Sequence, residues 1–228
     1  MANVKNLFSR LKARHWLVLL ALALVAAIWL EVTPPGLMGK EDGIAYAVCH
    51  RLPLRSFHFG ERPLPLCARC SGTFTMAVLG FVYLGWRGQR AGWPRRWVTF
   101  LFIGFLAIYG LDGVNSYLQL IPNFPGLYTP QNWLRLATGS LIGLAVPVYL
   151  LPAFHQIVWK EVDERPALAG WKDLAVLLGI AVRMNLAMLS ENPLLLYPLA
   201  LISTAGVLGL FTLIFTLIWI LLLRRENT

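Results

Sequence analysis

The chain has 228 residues, of which 57% are hydrophobic and only 14% are charged, and its mean hydropathy is +0.62. These values lie outside the range of soluble globular domains and indicate an integral membrane protein. The formal net charge of +9 does not indicate nucleic-acid binding, because the basic residues form short groups beside apolar segments rather than one stripe. We therefore expect the lipid bilayer, and no nucleic acid, as a partner. The sequence leaves the oligomeric state open.

The pattern of apolar segments predicts an all-α fold, a polytopic membrane helix bundle that forms a single integral membrane domain over residues 1–228. A basic leader precedes the first apolar segment and no signal-peptide cleavage site follows it, so we expect an uncleaved first span. Within the fourth span, Gly139 and Gly143 form a G-x-x-x-G pattern that predicts close contact between helices. About six transmembrane helices are expected, approximately at residues 14–33, 66–86, 97–118, 133–154, 171–190 and 197–223.

The distribution of Lys and Arg favours one orientation in the membrane. Basic residues are grouped in segments 5–14, 87–96, 155–172 and 224–225, and six spans place these four segments on the same side. The positive-inside rule assigns that side to the cytoplasm. We therefore expect a multi-pass protein of the cell membrane with both termini cytoplasmic. The polar loop 34–66 and the segment from Cys49 to Cys70 then lie on the extracytoplasmic side.

The segment CHRLPLRSFHFGERPLPLCARC, from Cys49 to Cys70, holds all three cysteines and two of the four histidines. Three thiols and one imidazole can form a tetrahedral Cys₃His zinc site, and C-x-x-C is the common half of such sites. Zinc is therefore the expected cofactor. The expected ligands are Cys49, His50, Cys67 and Cys70; His58 is an alternative to His50, and Asp112 or a water molecule are further candidates for the fourth position.

Two other chemistries fit the same cysteines. Cys67 and Cys70 would lie at a helix N-terminus beside arginines, a setting that favours a thiolate and a membrane thiol-disulfide oxidoreductase. Such relays normally use a second pair of cysteines, and here only Cys49 remains. Alternatively, a plain disulfide between Cys67 and Cys70, or between Cys49 and Cys67, would be a structural clip in a non-enzymatic lipid-binding, transport or scaffold protein. The sequence leaves open whether the protein is an enzyme.

Charged residues from separate segments reach the depth of the cysteines. Asp112 and Arg183 lie about fifteen and about twelve residues into their spans, which at ~1.5 Å per residue puts both in the outer half of the bilayer. Because isolated charges there cost several kcal/mol, we expect a polar cavity in which Asp112 offsets one or more arginines; a purely structural ion pair of Asp112 with Arg135 or Arg183 that fixes helix packing is the alternative. The guanidinium groups could bind the phosphate of an anionic lipid-type substrate. Candidate catalytic or binding residues are Asp112, Arg51, Arg55, Arg69 and Arg135.

The run CHRLPLRSFHFGERPLPLCARCSG, with Asp112 and the later NWLRLATGSLIG, resembles a family of uncharacterised prokaryotic integral membrane proteins. That family carries a CHR…RSF…G…LPLCARC[ST]G signature and a domain of unknown function. The resemblance covers residues 44–145 and includes Asn132, Arg135, Thr138, Gly139 and Gly143. It implies the membrane class and the choice of site residues, and it supplies no reaction.

Overall fold

The computed structural model describes residues 13–121 and 126–223, with side chains from residue 16 onward. Short strands cover His58–Phe59 (β1), Arg62–Pro63 (β2), Arg90–Gly92 (β3) and Asp163–Pro166 (β4), and 3₁₀ turns cover Pro53–Arg55 and Pro193–Leu195. The helical, membrane-bundle class expected from the sequence is confirmed. Within the described ranges the helices are α1 (Ala13–Val32), α2 (Leu37–Tyr46), α3 (Ala68–Gly85), α4 (Arg96–Leu118), α5 (Asn132–Val158), α6 (Trp171–Leu189) and α7 (Leu196–Leu222).

Residues 1–43 form the first of two compact units and contain α1 with most of α2. Apart from Glu31, the side chains of Trp16–Val32 are apolar, and nearly all side chains of the segment are exposed, as expected of a helix surrounded by lipid. The chain then turns, so that Trp16–Val32 and Leu37–Tyr46 meet at 108°. Lys40 stabilises this turn because its Nζ donates hydrogen bonds to the backbone carbonyls of Leu30 and Thr33 at the end of α1.

Residues 44–228 form the second unit, in which α3 packs along α5 and α7. Glycines allow the helix backbones to approach closely. A Cβ atom at Gly139 of α5 would lie 2.2 Å from the carbonyl oxygen of Arg69, and one at Gly206 of α7 would lie 2.0 Å from that of Phe74. Gly143 makes the same kind of contact one turn further along α5. The close helix contact predicted from the G-x-x-x-G pattern is therefore confirmed.

The number of candidate spans is smaller than the predicted six. Among the described residues, three segments are long and apolar enough to cross a membrane, namely α4, α5 and Pro193–Leu222, and the bent pair α1 and α2 could provide a fourth. The predicted spans 66–86 and 171–190 do form helices, α3 and α6. However, α3 carries Arg69 with several Ser and Thr residues, and α6 carries Lys172, Asp173 and Arg183. Since α3 packs against both α5 and α7, its buried polar residues do not need the hydropathy of a lipid-facing helix.

The connecting segments of the second unit lie at two ends. At one end, β3 pairs in parallel with β4. This pairing connects the segment that follows α3 with the segment that follows α5. His155 Nδ1 lies 2.9 Å from the carbonyl oxygen of Arg90, and Gln156 donates to that of Ala91 at 2.6 Å. The two basic segments that were expected to share a membrane side therefore lie at the same end. At the other end, β1 and β2 form a hairpin whose turn contains Gly60 at a φ of 67°.

The apolar core of the second unit lies between α3, α4, α5 and α6, where residues such as Met76, Leu144 and Leu177 are fully buried. Towards the hairpin end, α4 buries polar side chains instead. Asp112 and Asn115 are each only 2% exposed, and this change from apolar to polar burial locates a polar site inside the bundle.

Candidate metal and anion site

The three cysteines meet at the hairpin end of the second unit. Cys49 follows α2, where its backbone N–H donates to the carbonyl of Ala45 at 2.9 Å, while Cys67 is the N-cap residue of α3 and Cys70 lies in the first turn of that helix. Their Sγ atoms all lie within 4.8 Å of one another, and the three thiols are free. The chain thus brings together residues that are 18 and 21 positions apart, as expected from the sequence.

Hydrogen bonds identify Cys49 as the cysteine whose thiolate is favoured. Its Sγ accepts backbone N–H groups from Cys67 at 3.3 Å and from Arg51 at 3.5 Å. Arg51 adopts a left-handed φ of 50°, which is uncommon for a residue other than glycine and reverses the chain after the cysteine. Hydrogen bonds from the Cys67 and Cys70 thiols, followed by these backbone donors, hold the pKa of Cys49 well below its ordinary value, although burial opposes the shift.

The two candidate histidines occupy different positions. His50 is exposed and lines the same cavity as Cys67 and Cys70. His58 lies on β1, where it pairs with Pro63 in the hairpin. Among the described residues, the group of candidate ligand atoms within 4.8 Å of one another contains the three thiols and neither imidazole. The identity of the fourth ligand remains a prediction, with His50 the histidine that lines the cavity.

The thiol group fits a zinc ion by its donor chemistry and its spacing. Thiolate sulfurs lie about 2.3 Å from zinc, so neighbouring sulfurs of a tetrahedral site are about 3.8 Å apart. Sulfur atoms that lie within 4.8 Å of one another could reach this separation through small side-chain rotations. Backbone N–H donors to Cys49 would also compensate the negative charge that three thiolates concentrate around a divalent ion.

A cavity of about 300 Å³ lies beside the thiols. Its wall is partly aromatic and partly cationic, since Tyr109 and Tyr117 of α4 face the same space as three arginines. The guanidinium of Arg69 lies 5.5 Å from the ring centroid of Tyr109, a cation–π contact. The lining residues that carry chemistry are His50, Arg55, Cys67, Arg69, Cys70 and Arg135.

Each of the three lining arginines is tethered to the protein through one nitrogen. Nη2 of Arg55 donates to the backbone carbonyl of Ser116 at 2.9 Å, and Nη1 of Arg135 donates to Asn132 Oδ1 at 2.9 Å. Nη2 of Arg69 contacts Asp112 and donates to Ser116 Oγ at 3.2 Å. These contacts fix the position of each guanidinium and leave other N–H groups without a protein partner among the described residues.

The fourth candidate arginine, Arg51, has a different position from the other three. Its Nε donates to the backbone carbonyl of Pro65 at 3.1 Å, and its guanidinium lies 5.9 Å from the ring centroid of Tyr46. It does not belong to the residues that line the cavity. A role of Arg51 in ligand binding stays a prediction, and the contacts of its side chain place the guanidinium beside Pro65 and Tyr46.

The buried ion pair of the site joins Asp112 to Arg69, and the expected pairing with Arg135 or Arg183 is not found. Asp112 Oδ1 also accepts the hydroxyl of Tyr128 at 2.6 Å. Arg183 lies on α6 and is exposed. Counting residues along each span gave a similar depth for Asp112 and Arg183, but depth alone does not determine which face of a helix a residue occupies.

The sequence interpretation missed the polar residues around Asp112. Asn115 Nδ2 donates to the carbonyl of Tyr128 at 2.9 Å, and Asn115 Oδ1 accepts the N–H of Leu127 at 2.7 Å, which holds the loop after α4 against the helix. Helical spacing could have identified most of this set, because residues three and four positions from Asp112 share its face of α4. The residues on that face are Tyr109, Asn115 and Ser116.

Comparison with known proteins supports the membrane class. Residues 49–149 match a family described as "Predicted membrane protein (DUF2085)". A stretch of 116 residues is 28% identical to an uncharacterized protein of Methanocaldococcus jannaschii, and it covers 50% of this chain and 68% of that protein. No solved structure matches the chain. The family match begins at Cys49 and extends past Arg135, so the chain is similar to predicted membrane proteins over the segment that forms the cavity.

Proposed function

We propose that this multi-pass membrane protein holds a zinc ion through Cys49, Cys67 and Cys70 beside an arginine-lined cavity that receives an anionic, lipid-type substrate. The observation that carries the proposal is the convergence of three thiol sulfurs within 4.8 Å at the wall of a cavity that also contains three guanidinium groups. Three protein ligands would leave the fourth position of zinc for a water or a substrate oxygen, whereas a fourth ligand from His50 would close the site and make it structural.

The residues of this chain would have separate roles. The cysteines would hold the ion, and His50 could complete its coordination, because it lines the same cavity. Arg55, Arg69 and Arg135 would bind and orient the anionic group. Asp112 would keep Arg69 in place through their ion pair. We infer that the thiols face the extracytoplasmic side, since the basic segments 87–96 and 155–172 meet at the opposite end of the bundle.

The first test is the metal content of the detergent-purified protein, measured by mass spectrometry together with a count of reactive thiols under denaturing conditions, with and without a chelator. We expect close to one zinc per chain and three thiols that react fully only after chelation. A protein without metal and with a single reactive thiol would contain a disulfide, and the zinc proposal would be abandoned in favour of a structural or redox pair.

Single substitutions extend this test to the ligands. Cys67→Ser should lower the zinc content strongly, because a thiolate ligand is lost. His50→Ala and His58→Ala form a matched pair of histidine variants, and only His50→Ala should weaken zinc binding. A thiol relay predicts a different result, namely that Cys67→Ser accumulates a mixed disulfide under mild oxidation.

A further inference from the structure

Arg135 is a buried cation with incomplete hydrogen bonding. The residue is only 8% exposed, and it lines the cavity beside the cysteines. Its Nη1 is bound to Asn132, but its Nε is buried and has no hydrogen-bond partner within the part of the chain that the structure describes. A buried guanidinium with an unsatisfied N–H costs free energy, and an anion in the cavity beside Arg135 would offset part of that cost by pairing with its charge.

The charges around the cavity do not balance locally. Asp112 already binds Arg69, and it also accepts hydrogen bonds from Tyr128 at 2.6 Å and from Thr138 at 3.4 Å. The carboxylate of Asp112 is therefore already bound by these three side chains. Nε of Arg69 is buried and without a partner in the described residues, as in Arg135. The three guanidinium groups consequently present more positive charge to the cavity than one engaged carboxylate offsets.

A second cavity, of about 390 Å³, adjoins the first and has an apolar character. The two cavities share Leu52, Arg55 and Arg135, so the arginines stand at their junction. Leu54 is 91% exposed at the rim of the second cavity. The apolar part of this groove is formed by Leu52, Pro53, Leu54, Leu120 and Pro130. A ligand that occupied both cavities would have a charged end among the arginines and an apolar part against these residues.

We propose that this pair of cavities binds a lipid with a phosphate monoester head group and an apolar chain, the phosphate lying among Arg55, Arg69 and Arg135. A phosphate monoester carries nearly two negative charges at neutral pH and three terminal oxygens that accept hydrogen bonds, which matches three guanidinium groups around one space. The apolar groove adjoins the cationic cavity at Arg55 and Arg135, and it would accommodate the chain. The inference rests on the proposed function in placing an anionic ligand in this cavity, but the binding does not require the metal.

The test is isothermal titration of the full-length protein in an uncharged detergent with four probes. Octyl phosphate represents the lipid monoester, inorganic phosphate represents the free anion, octyl methyl phosphate is the matched diester, and octanol carries the chain alone. We expect octyl phosphate to bind at least about tenfold more tightly than each of the other three. Equal affinity for octyl phosphate and inorganic phosphate would overturn the lipid assignment, and equal affinity for the diester would overturn the monoester assignment.

Variants separate the head-group site from the groove. Arg135→Gln should weaken the binding of octyl phosphate at least about tenfold. Arg135→Lys should weaken binding less, because lysine keeps the positive charge but lacks the planar pair of N–H donors of a guanidinium. Arg165→Gln is the matched control, since Arg165 is an exposed arginine that pairs with Asp163 at the opposite end. Leu54→Gln should weaken binding of octyl phosphate and leave binding of inorganic phosphate unchanged. Because Leu54 is exposed, the substitution should not disturb folding.

The outcomes distinguish this inference from the zinc proposal. Titration is repeated on chelator-treated protein, and binding of octyl phosphate without zinc would support the inference independently of the metal. A zinc-loaded protein that binds no octyl phosphate would overturn the inference and leave the metal site intact. An Arg135→Gln variant that binds octyl phosphate as tightly as Arg165→Gln would also overturn it.

Discussion

The buried ion pair of Asp112 and Arg69 joins α4 to α3. Asp112 is 2% exposed, so loss of its cation would leave a buried carboxylate with only hydroxyl partners. We expect Arg69→Met to lower the free energy of unfolding by about 3–5 kcal/mol, the range observed when one partner of a buried pair is removed. Reversible chemical unfolding in detergent would measure this change.

Two further variants control that measurement. Adding Asp112→Leu to Arg69→Met should restore part of the stability, because the unpaired charge is removed. Asp163→Asn breaks the exposed pair with Arg165 and should change stability little. If Arg69→Met were as harmless as Asp163→Asn, the pair would contribute nothing to folding and would serve only to position Arg69.

Tyr128 links the loop after α4 to the same carboxylate. Burial and the hydrogen bond to Asp112 raise the pKa of Tyr128 above its ordinary value. A group whose pKa is raised by folding stabilises the protein fully below its unfolded pKa, here about 10, and this contribution is lost as the pH rises through the folded value. We expect the free energy of unfolding to fall above about pH 10 in the wild type and to fall less in Tyr128→Phe.

Unfolding curves recorded between about pH 8 and pH 12 would test this expectation. Other groups also titrate in this range, so the difference between wild type and variant is the relevant quantity. Tyr197→Phe removes the hydroxyl of an exposed tyrosine on α7 and should reproduce the wild-type pH dependence. A Tyr128→Phe curve parallel to the wild-type curve would mean that the bond to Asp112 does not alter the titration of Tyr128.

At the scale of single residues, the sequence identified most of the site but not its pairings. The thiols and Asp112 were recognisable because such residues are rare in apolar segments and must be satisfied there. The choice among Arg69, Arg135 and Arg183 as the partner of Asp112 depends on helix rotation, which one sequence does not provide. The position of the Arg51 side chain was not predictable for a related reason, since the left-handed backbone conformation at Arg51 is not revealed by its spacing from Arg55.

At the scale of elements, the contact of α3 with α5 depends on the absence of side chains. A methyl group at Gly139 would lie 2.2 Å from the carbonyl oxygen of Arg69, closer than any van der Waals contact permits. We expect Gly139→Ala to lower the free energy of unfolding by about 1–3 kcal/mol or more, because the helices must separate. Thermal unfolding of the purified protein in detergent would measure the loss.

The matched control is Gly104→Ala in α4, where a methyl group would meet no atom within 4 Å. Alanine has the better helix propensity, so this variant should be neutral or more stable by about 0.5–1 kcal/mol. A similar loss in both variants would indicate a general effect of the substitution on the helices and would remove the argument for close packing at Gly139. The different roles of Gly139 and Gly104 were partly predictable from the sequence. Gly139 and Gly143 are spaced by one helical turn, whereas Gly104 has no glycine four residues before or after it.

The helices themselves were predicted more reliably than their relation to the membrane. All six predicted spans contain a helix, because long and mainly apolar segments leave few alternatives. The count of spans was less secure, since α3 is shielded by α5 and α7 and so tolerates Ser, Thr and Arg69, while α6 carries three charged residues. Hydropathy describes contact with lipid, and a helix packed against others need not follow it.

At the scale of the whole molecule, the expected topology places the two ends of the second unit on opposite sides of the membrane. Leu54 and Trp86 are matched reporters, because they are 91% and 89% exposed and lie before and after α3. With a membrane-impermeant maleimide applied to intact cells, Leu54→Cys should be labelled directly, whereas Trp86→Cys should be labelled only after lysis. The wild-type protein controls for reaction of the native cysteines. Labelling of both variants in intact cells would show that α3 does not cross the membrane, and labelling of Trp86→Cys alone would reverse the orientation and place the thiols in the cytoplasm.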